Sequence, residues 1–163
     1  MEDYILSVLV SNHSGVLSRV SSLFGQRGYN IASLTVSATS NDKISRITLV
    51  VRGDEAILEQ ITKQLSKLED VIKVHKVDAA NALCRELLLL KVEIDASTLT
   101  KVKEAAELFR AKIIDVAPAS IIMELTGQES KIDAFLEFLH PYTVIEMCRT
   151  GITAMERGSG AVL

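Results

Sequence analysis

The residues best placed for chemistry lie in NHSGVLSRVSSLFGQRGYNI, positions 12 to 31, where four small or polar residues run into an amphipathic helix that stops at a glycine. Asn12 and Ser14 are good helix N-cap residues, and their side-chain oxygens can accept from the unpaired N–H groups of a first turn. Gly15 fits a second role at the same point. A helix N-terminus carries partial positive charge and free donors, and a residue without a Cβ lets a carboxylate or phosphate come close. On these residues alone a capped turn and an anion site both stand open. The remaining reactive side chains are scattered. General acid–base or nucleophilic catalysis needs a base, a nucleophile and an orienting group together, whereas His13, His75 and His140 sit in unrelated places. His13 is expected exposed beside the glycine turn, His75 exposed on a strand face, and His140 at a helix end where it complements the dipole. No catalytic residue is expected. Nor is a metal site, since H-x-x-x-H, H-E-x-x-H, C-x-x-C and Asp-rich loops are all absent.

Composition excludes several function classes. A chain of 163 residues, 48% hydrophobic and 24% charged, is a globular balance rather than a disordered one. A net charge of -3 leaves no basic footprint for nucleic acid, and with 4% aromatic residues the sheets cannot offer bases a stacking platform. Phe24, Phe109, Phe135 and Phe138 all fall in helical patterns and read as core. No apolar run reaches the roughly 18 residues that a membrane helix needs, and the acidic start MEDYILSV lacks the basic region of a signal peptide. The expectation is a cytoplasmic protein without membrane contact, with Cys84 and Cys148 as reduced structural thiols. The glycines of GQRG and GSG do not have dinucleotide-binding spacing and read as a helix cap and a mobile tail.

These side chains must be positioned by elements that repeat. YILSVLV (4–10) has strand character, and Val16, Leu17, Val20, Leu23 and Phe24 then form one helical face ended by Gly28. IASLTVSAT and KISRITLVV alternate with period two and are joined by SNDK, which suits a hairpin turn. GDEAILEQITKQLSKLED is a second amphipathic helix, and VIKVHKVD a last strand. The order is β-α-β-β-α-β. It recurs in ELLLLKVEI, TLTKVKEAAELFRA, KIIDVAP, SIIMELTG, SKIDAFLEFLH and a closing strand TVIEMCRTGITAM, followed by a loose tail. The predicted fold class is α+β, two ferredoxin-like sandwiches in tandem, with domains at 1–78 and 86–163 and a linker at 79–85.

Each such sheet has helices on one face only. Tyr4, Leu6, Val8 and Val10 would face the helices, which leaves Ile5 and Leu9 on the other side in need of cover. The strand IASLTVSAT, residues 31–39, would lie at a sheet edge without proline or lysine to deter pairing, so a homodimer is expected, with cover by the second domain as the alternative.

The N-x-x-G turn, SRVSSLFGQRGYNIASLTVSAT and GDEAILEQITKQLSKLEDVIKV resemble the amino-acid-binding ACT domain of the acetolactate synthase small subunit. EIDAS, FRAKIIDVAP, KIDAFLEFL and RTGITAMERG resemble the C-terminal part of that family, so the likeness covers nearly the whole chain. It implies a non-catalytic regulatory subunit in valine, leucine and isoleucine biosynthesis. Such a subunit activates a catalytic large subunit and confers feedback inhibition by valine. Thiamine diphosphate, Mg2+ and FAD would belong to that partner, and this chain has no thiamine-binding G-D-G segment. The resemblance implies a valine site made by Asn12, Gly15, Val16 and Leu17, closed by Asn30 and Ile31 of a second protomer, with Ser18, Ser37 and Gln60 transmitting inhibition. Two features depart from the family pattern: Ser37 where alanine is common, and His13 where the turn is often acidic. The other readings are an ACT-domain sensor acting on another enzyme or on a transcription regulator, and an acylphosphatase-like enzyme, for which SNHSG lacks the required arginine.

Overall fold

The computed structural model describes residues 2–162. Met1 and Leu163, the outer ends of the two expected domains, lie outside the described residues. The first sandwich contains β1 (Glu2–Ser11), α1 (Val16–Arg27), β2 (Ile31–Ala38), β3 (Ile44–Gly53), α2 (Glu55–Leu65) and β4 (Val71–Lys76). A single 3-10 turn at Ala79–Asn81 leads into β5 (Ala82–Glu93), α3 (Leu99–Phe109), β6 (Lys112–Ala117), β7 (Ser120–Gly127), α4 (Glu129–Phe138) and β8 (Val144–Arg149). A short β9 (Thr153–Glu156) follows. The first sheet has the order β2-β3-β1-β4 and the second the order β6-β7-β5-β8, so both repeats have the ferredoxin-like topology. β2 is an edge strand, as its lone pairing with β3 requires.

Strand alternation and helix periodicity meet in each core. In the first unit Leu6, Val8 and Val10 of β1 and Ile47, Leu49 and Val51 of β3 pack against Val16, Val20 and Phe24 of α1 and Leu58, Ile61 and Leu65 of α2. The residues from α1 are four apart and therefore share one face. α1 closes at Gly28, whose φ of 67° is open to glycine, while the N–H of Tyr29 returns to the Phe24 carbonyl. α2 starts on Asp54, which accepts from the Ile57 N–H at 2.8 Å. The second core is built the same way around Leu88, Leu90, Ile121, Met123 and Phe135. Beside it the half-buried Arg149 donates to the buried Glu86 and to Asp133.

The last stretch departs from expectation. TVIEMCRTGITAM is not one strand: Gly151, at φ 80°, turns the chain between β8 and β9. The chain consequently divides into one unit of Met1–Leu83 with Ile152–Leu163 and another of Cys84–Gly151, so the domain bounds drawn from the sequence do not follow the packing. β9 pairs with β5, whose first two residues belong to the same unit as β9. The reason is the uncovered face of the first sheet. Opposed residues in an antiparallel ladder share a face, which sets Ser33, Thr35, Arg46, Thr48, Val50 and His75 beside Ile5, Ser7 and Leu9. The terminal segment crosses that face. Ser33 Oγ accepts from the Ile152 N–H, Thr35 Oγ1 donates to the Ile152 carbonyl, and Arg46 donates to the Ala154 carbonyl at 2.6 Å. Glu156 meets His75 Nε2 at 2.8 Å and the Asp78 N–H at 3.0 Å. Ile152 and Ala154 are buried while Met155 stays exposed. The cover on the face of Ile5 and Leu9 thus includes a strap of residues 152–157, which the sequence reading had placed in the second domain, its alternative to a homodimer. His75 is a latch for this strap rather than a free surface residue, and residues 152–157 are held rather than loose. The N–H groups of Asp78 and the His75 ring, in that order, draw the Glu156 carboxyl below its ordinary range.

Candidate functional site

The turn between β1 and α1 departs from one of the two roles left open. The N-cap of α1 is Gly15 itself, at φ 88°, and no side chain caps the helix. Asn12 is occupied elsewhere: its Nδ2 donates to the Asp42 carbonyl at 2.7 Å and its N–H to the Lys43 carbonyl. Ser14 makes no capping bond either. The physical reason is geometric, because the left-handed Gly15 carries the chain into the helix and takes Asn12 and Ser14 out of the cap position. The Gly15 carbonyl accepts from the Arg19 N–H, whereas the first-turn N–H groups of Val16, Leu17 and Ser18 have no acceptor within the helix. Gly15 and Leu17 are exposed and Val16 is buried in the core.

Three ionisable side chains rim this turn. Asp70, buried just before β4, pairs with Arg19 Nη1 on one side and with His13 Nε2, at 2.8 Å, on the other. The Ser11 N–H donates to the Asp70 carbonyl, which ties the same residue to the end of β1. A Cβ built on Gly15 would lie 3.9 Å from Arg19 Nη2, so that guanidinium stands directly over the glycine. Neither Arg19 nor Asp70 was found from the sequence. Arg19 carried a usable signal, since it lies one helical turn beyond Gly15. Asp70 carried none, being brought there by the return of β4 beside β1.

Curated relatives match this chain along most of its length. An acetolactate synthase small subunit of Mycolicibacterium smegmatis is 48% identical over 155 residues, covering 95% of this chain and 91% of its own. A probable acetolactate synthase small subunit of Methanothermobacter thermautotrophicus is 45% identical over 159 residues, covering 97% of this chain and 95% of its own. The chain belongs to the acetolactate synthase small-subunit family. The crystal structure of the small subunit from Thermotoga maritima agrees, with a TM-score of 0.92 at 40% identity over 98% of this chain and all of that one. Two family models match the chain: the small-subunit-like ACT domain at residues 6–73 and the small subunit of acetolactate synthase at 85–158. The second model includes β9, which packs with the first unit here.

Within this small-subunit chain the expected site residues fall into two groups. Asn12, Gly15, Val16 and Leu17 lie together at the start of α1, with Ser18 one residue further, exposed, its carbonyl accepting from Ser21. Asn30 and Ile31 lie beyond the other end of the same 12-residue helix, which at 1.5 Å per residue is about 18 Å away. One protomer therefore does not bring the two groups together. Gln60, on α2, accepts from the Tyr29 hydroxyl at 3.2 Å, next to Asn30. Ser37 is exposed on the edge strand, opposite Arg46. Cys84 and Cys148 are free thiols, and burial pushes the Cys84 thiol up. Among the described residues, no helix is long and apolar enough to cross a membrane, and no three His, Cys, Asp or Glu side chains converge as metal ligands.

Proposed function

We propose that this chain is a cytoplasmic regulatory subunit that joins a catalytic large subunit of acetolactate synthase, raises its activity and makes it sensitive to valine. The thiamine diphosphate, Mg2+ and FAD of that chemistry are assigned to the partner. The observation that carries the reading is the uncapped start of α1 at Gly15, within a chain of this family. The effector's carboxylate would take the free N–H groups of Val16 and Leu17, where the helix dipole favours negative charge. Asn12 has its amide N–H engaged by Asp42, which leaves Oδ1 to accept from the effector's ammonium. Asn30 and Ile31 of a second copy close the site, and the exposed edge of β2 supports that pairing. Ser18, Ser37 and Gln60 would pass occupancy on to the partner. A ligand shared by two protomers ties occupancy to interface geometry, and differential binding of about 1 to 3 kcal/mol suffices for feedback.

Thermal melts against an amino-acid panel test this. Valine at 100 times its dissociation constant stabilises the native state by about 2.7 kcal/mol, and glycine and aspartate leave it unchanged. No shift with valine, leucine or isoleucine, in a chain that associates with itself, counts against an effector site on it. Failure to co-purify with a large subunit counts against the partnership.

A further inference from the structure

The strap across the first sheet is gripped by its main chain. Ser33 Oγ accepts from the Ile152 N–H, Thr35 Oγ1 donates to the Ile152 carbonyl, and Arg46 donates to the Ala154 carbonyl at 2.6 Å. Its far end is tied by Glu156, against the His75 ring and the Asp78 N–H, and by the Arg157 N–H on the Asn81 carbonyl. Ile152 and Ala154 are buried, whereas Met155 is 64% exposed. A segment that buries so few apolar side chains lies at the low end of local stability. Gly151 and Gly158, both at positive φ, flank the strap and give it points about which to swing. It can open as a unit while the ladders of the sheet stay paired.

The anchors of the strap lie on the strand that begins with the expected effector residues. Asn30 and Ile31 lead into β2, Ser33 and Thr35 follow on it, and the ladder with β3 is irregular between Ile31 and Ser33. As an edge strand β2 is hydrogen-bonded to β3 on one side, so the strap is a further hold on it. Arg46, the third anchor, stands opposite Ser37 in the same ladder.

We propose that the strap is a two-state latch coupled to the effector site. Closed, it steadies β2 and with it Asn30 and Ile31, and an effector held by those two residues in turn keeps it closed. The inference rests on the reading of Asn30 and Ile31 as part of that site. Such coupling is reciprocal: the factor by which bound effector suppresses opening is the factor by which a fully open strap weakens the effector. A factor of about ten falls within the usual range of allosteric coupling.

Hydrogen exchange of the full chain, followed at single amides with and without saturating L-valine, reads the latch at the Ile152 and Arg157 N–H groups. These two amides are expected to exchange together, sooner than those of β1 and β3, and to slow about tenfold with valine. Ala154→Asp puts a charge at a buried position and opens the strap. Calorimetry should then show valine weakened about tenfold, with the β1 and β3 amides as protected as in wild type. Arg46→Met removes an anchor from the sheet side and should weaken valine by less, while Met155→Ala changes neither reading. Where Ala154→Asp costs the β1 and β3 amides their protection, Arg46→Met decides by the same two readings. An Ile152 amide that exchanges only with those of β1 and β3 overturns the latch. If valine binds and leaves Ile152 exchange unchanged, or if the deciding variant frees that amide and keeps wild-type affinity, the coupling is overturned while the effector site stands. A wild-type chain that binds no valine overturns the reading of the site, and this proposal with it.

Discussion

Replacing Gly15 separates backbone strain from charge. At φ 88° an L-residue is strained, yet a Cβ there meets nothing nearer than Arg19 Nη2 at 3.9 Å. Gly15→Ala should therefore cost about 1 kcal/mol, the usual penalty of a left-handed residue, with no steric addition. Gly15→Asp meets the same backbone, but aspartate enters this region more readily than alanine. Its carboxylate also lies within reach of Arg19 and of the helix N-terminus, and these offset about 0.5 to 1 kcal/mol. The aspartate variant is thus expected to be at least as stable as the alanine one, both melting within about 2 to 4 °C of wild type for a chain of this size. Their response to valine should differ in the opposite sense. Alanine leaves the anion position open and keeps the shift, while aspartate occupies it and abolishes the shift, and with it feedback inhibition in the reconstituted enzyme. Paired melts with and without saturating valine read both effects. An aspartate variant far less stable than the alanine one, or one that still rises with valine, would refute the reasoning.

Other perturbations test contacts elsewhere in the fold. The Glu156 carboxyl is held below its ordinary 4.5 by the Asp78 N–H and His75, so its contribution is complete above that value and lost as pH falls through the lower folded value. Glu156→Gln should lower the melting temperature more at about pH 6 than in acid, and equal effects at both would exclude the latch. Ser7 has a buried hydroxyl without a partner among the described residues, and Ser7→Ala should leave stability unchanged or raise it by about 1 kcal/mol in urea titrations. Arg149→Met leaves the buried Glu86 without its cation and should cost about 3 kcal/mol. The double change with Glu86→Leu should recover most of that loss in the same titration.

Much of the architecture was legible because it rests on local regularities. Period-two alternation in residues 4–10 and 43–51 and the four-residue spacing of Val16, Val20 and Phe24 fix which face of each element is apolar. Two β-α-β-β-α-β runs then leave few topologies. The C-terminal segment was not legible in this way. ITAME alternates like any strand, and nothing local says that its partners are Ser33, Thr35, Arg46 and His75, more than 75 residues away in sequence. The candidate site divides along the same line. Gly15 marks the start of a helix and can be read from its neighbours, whereas whether Asn12 caps that helix depends on the β2–β3 turn, which claims its amide. The sequence by itself determined the elements, their apolar faces and the glycine at the turn, because these follow from interactions a few residues apart. Only the tertiary structure decided that Asp70 would pair with both His13 and Arg19 beside that turn and that residues 152–157 would strap the open sheet. Both depend on contacts between distant segments, whose pairing no local period encodes.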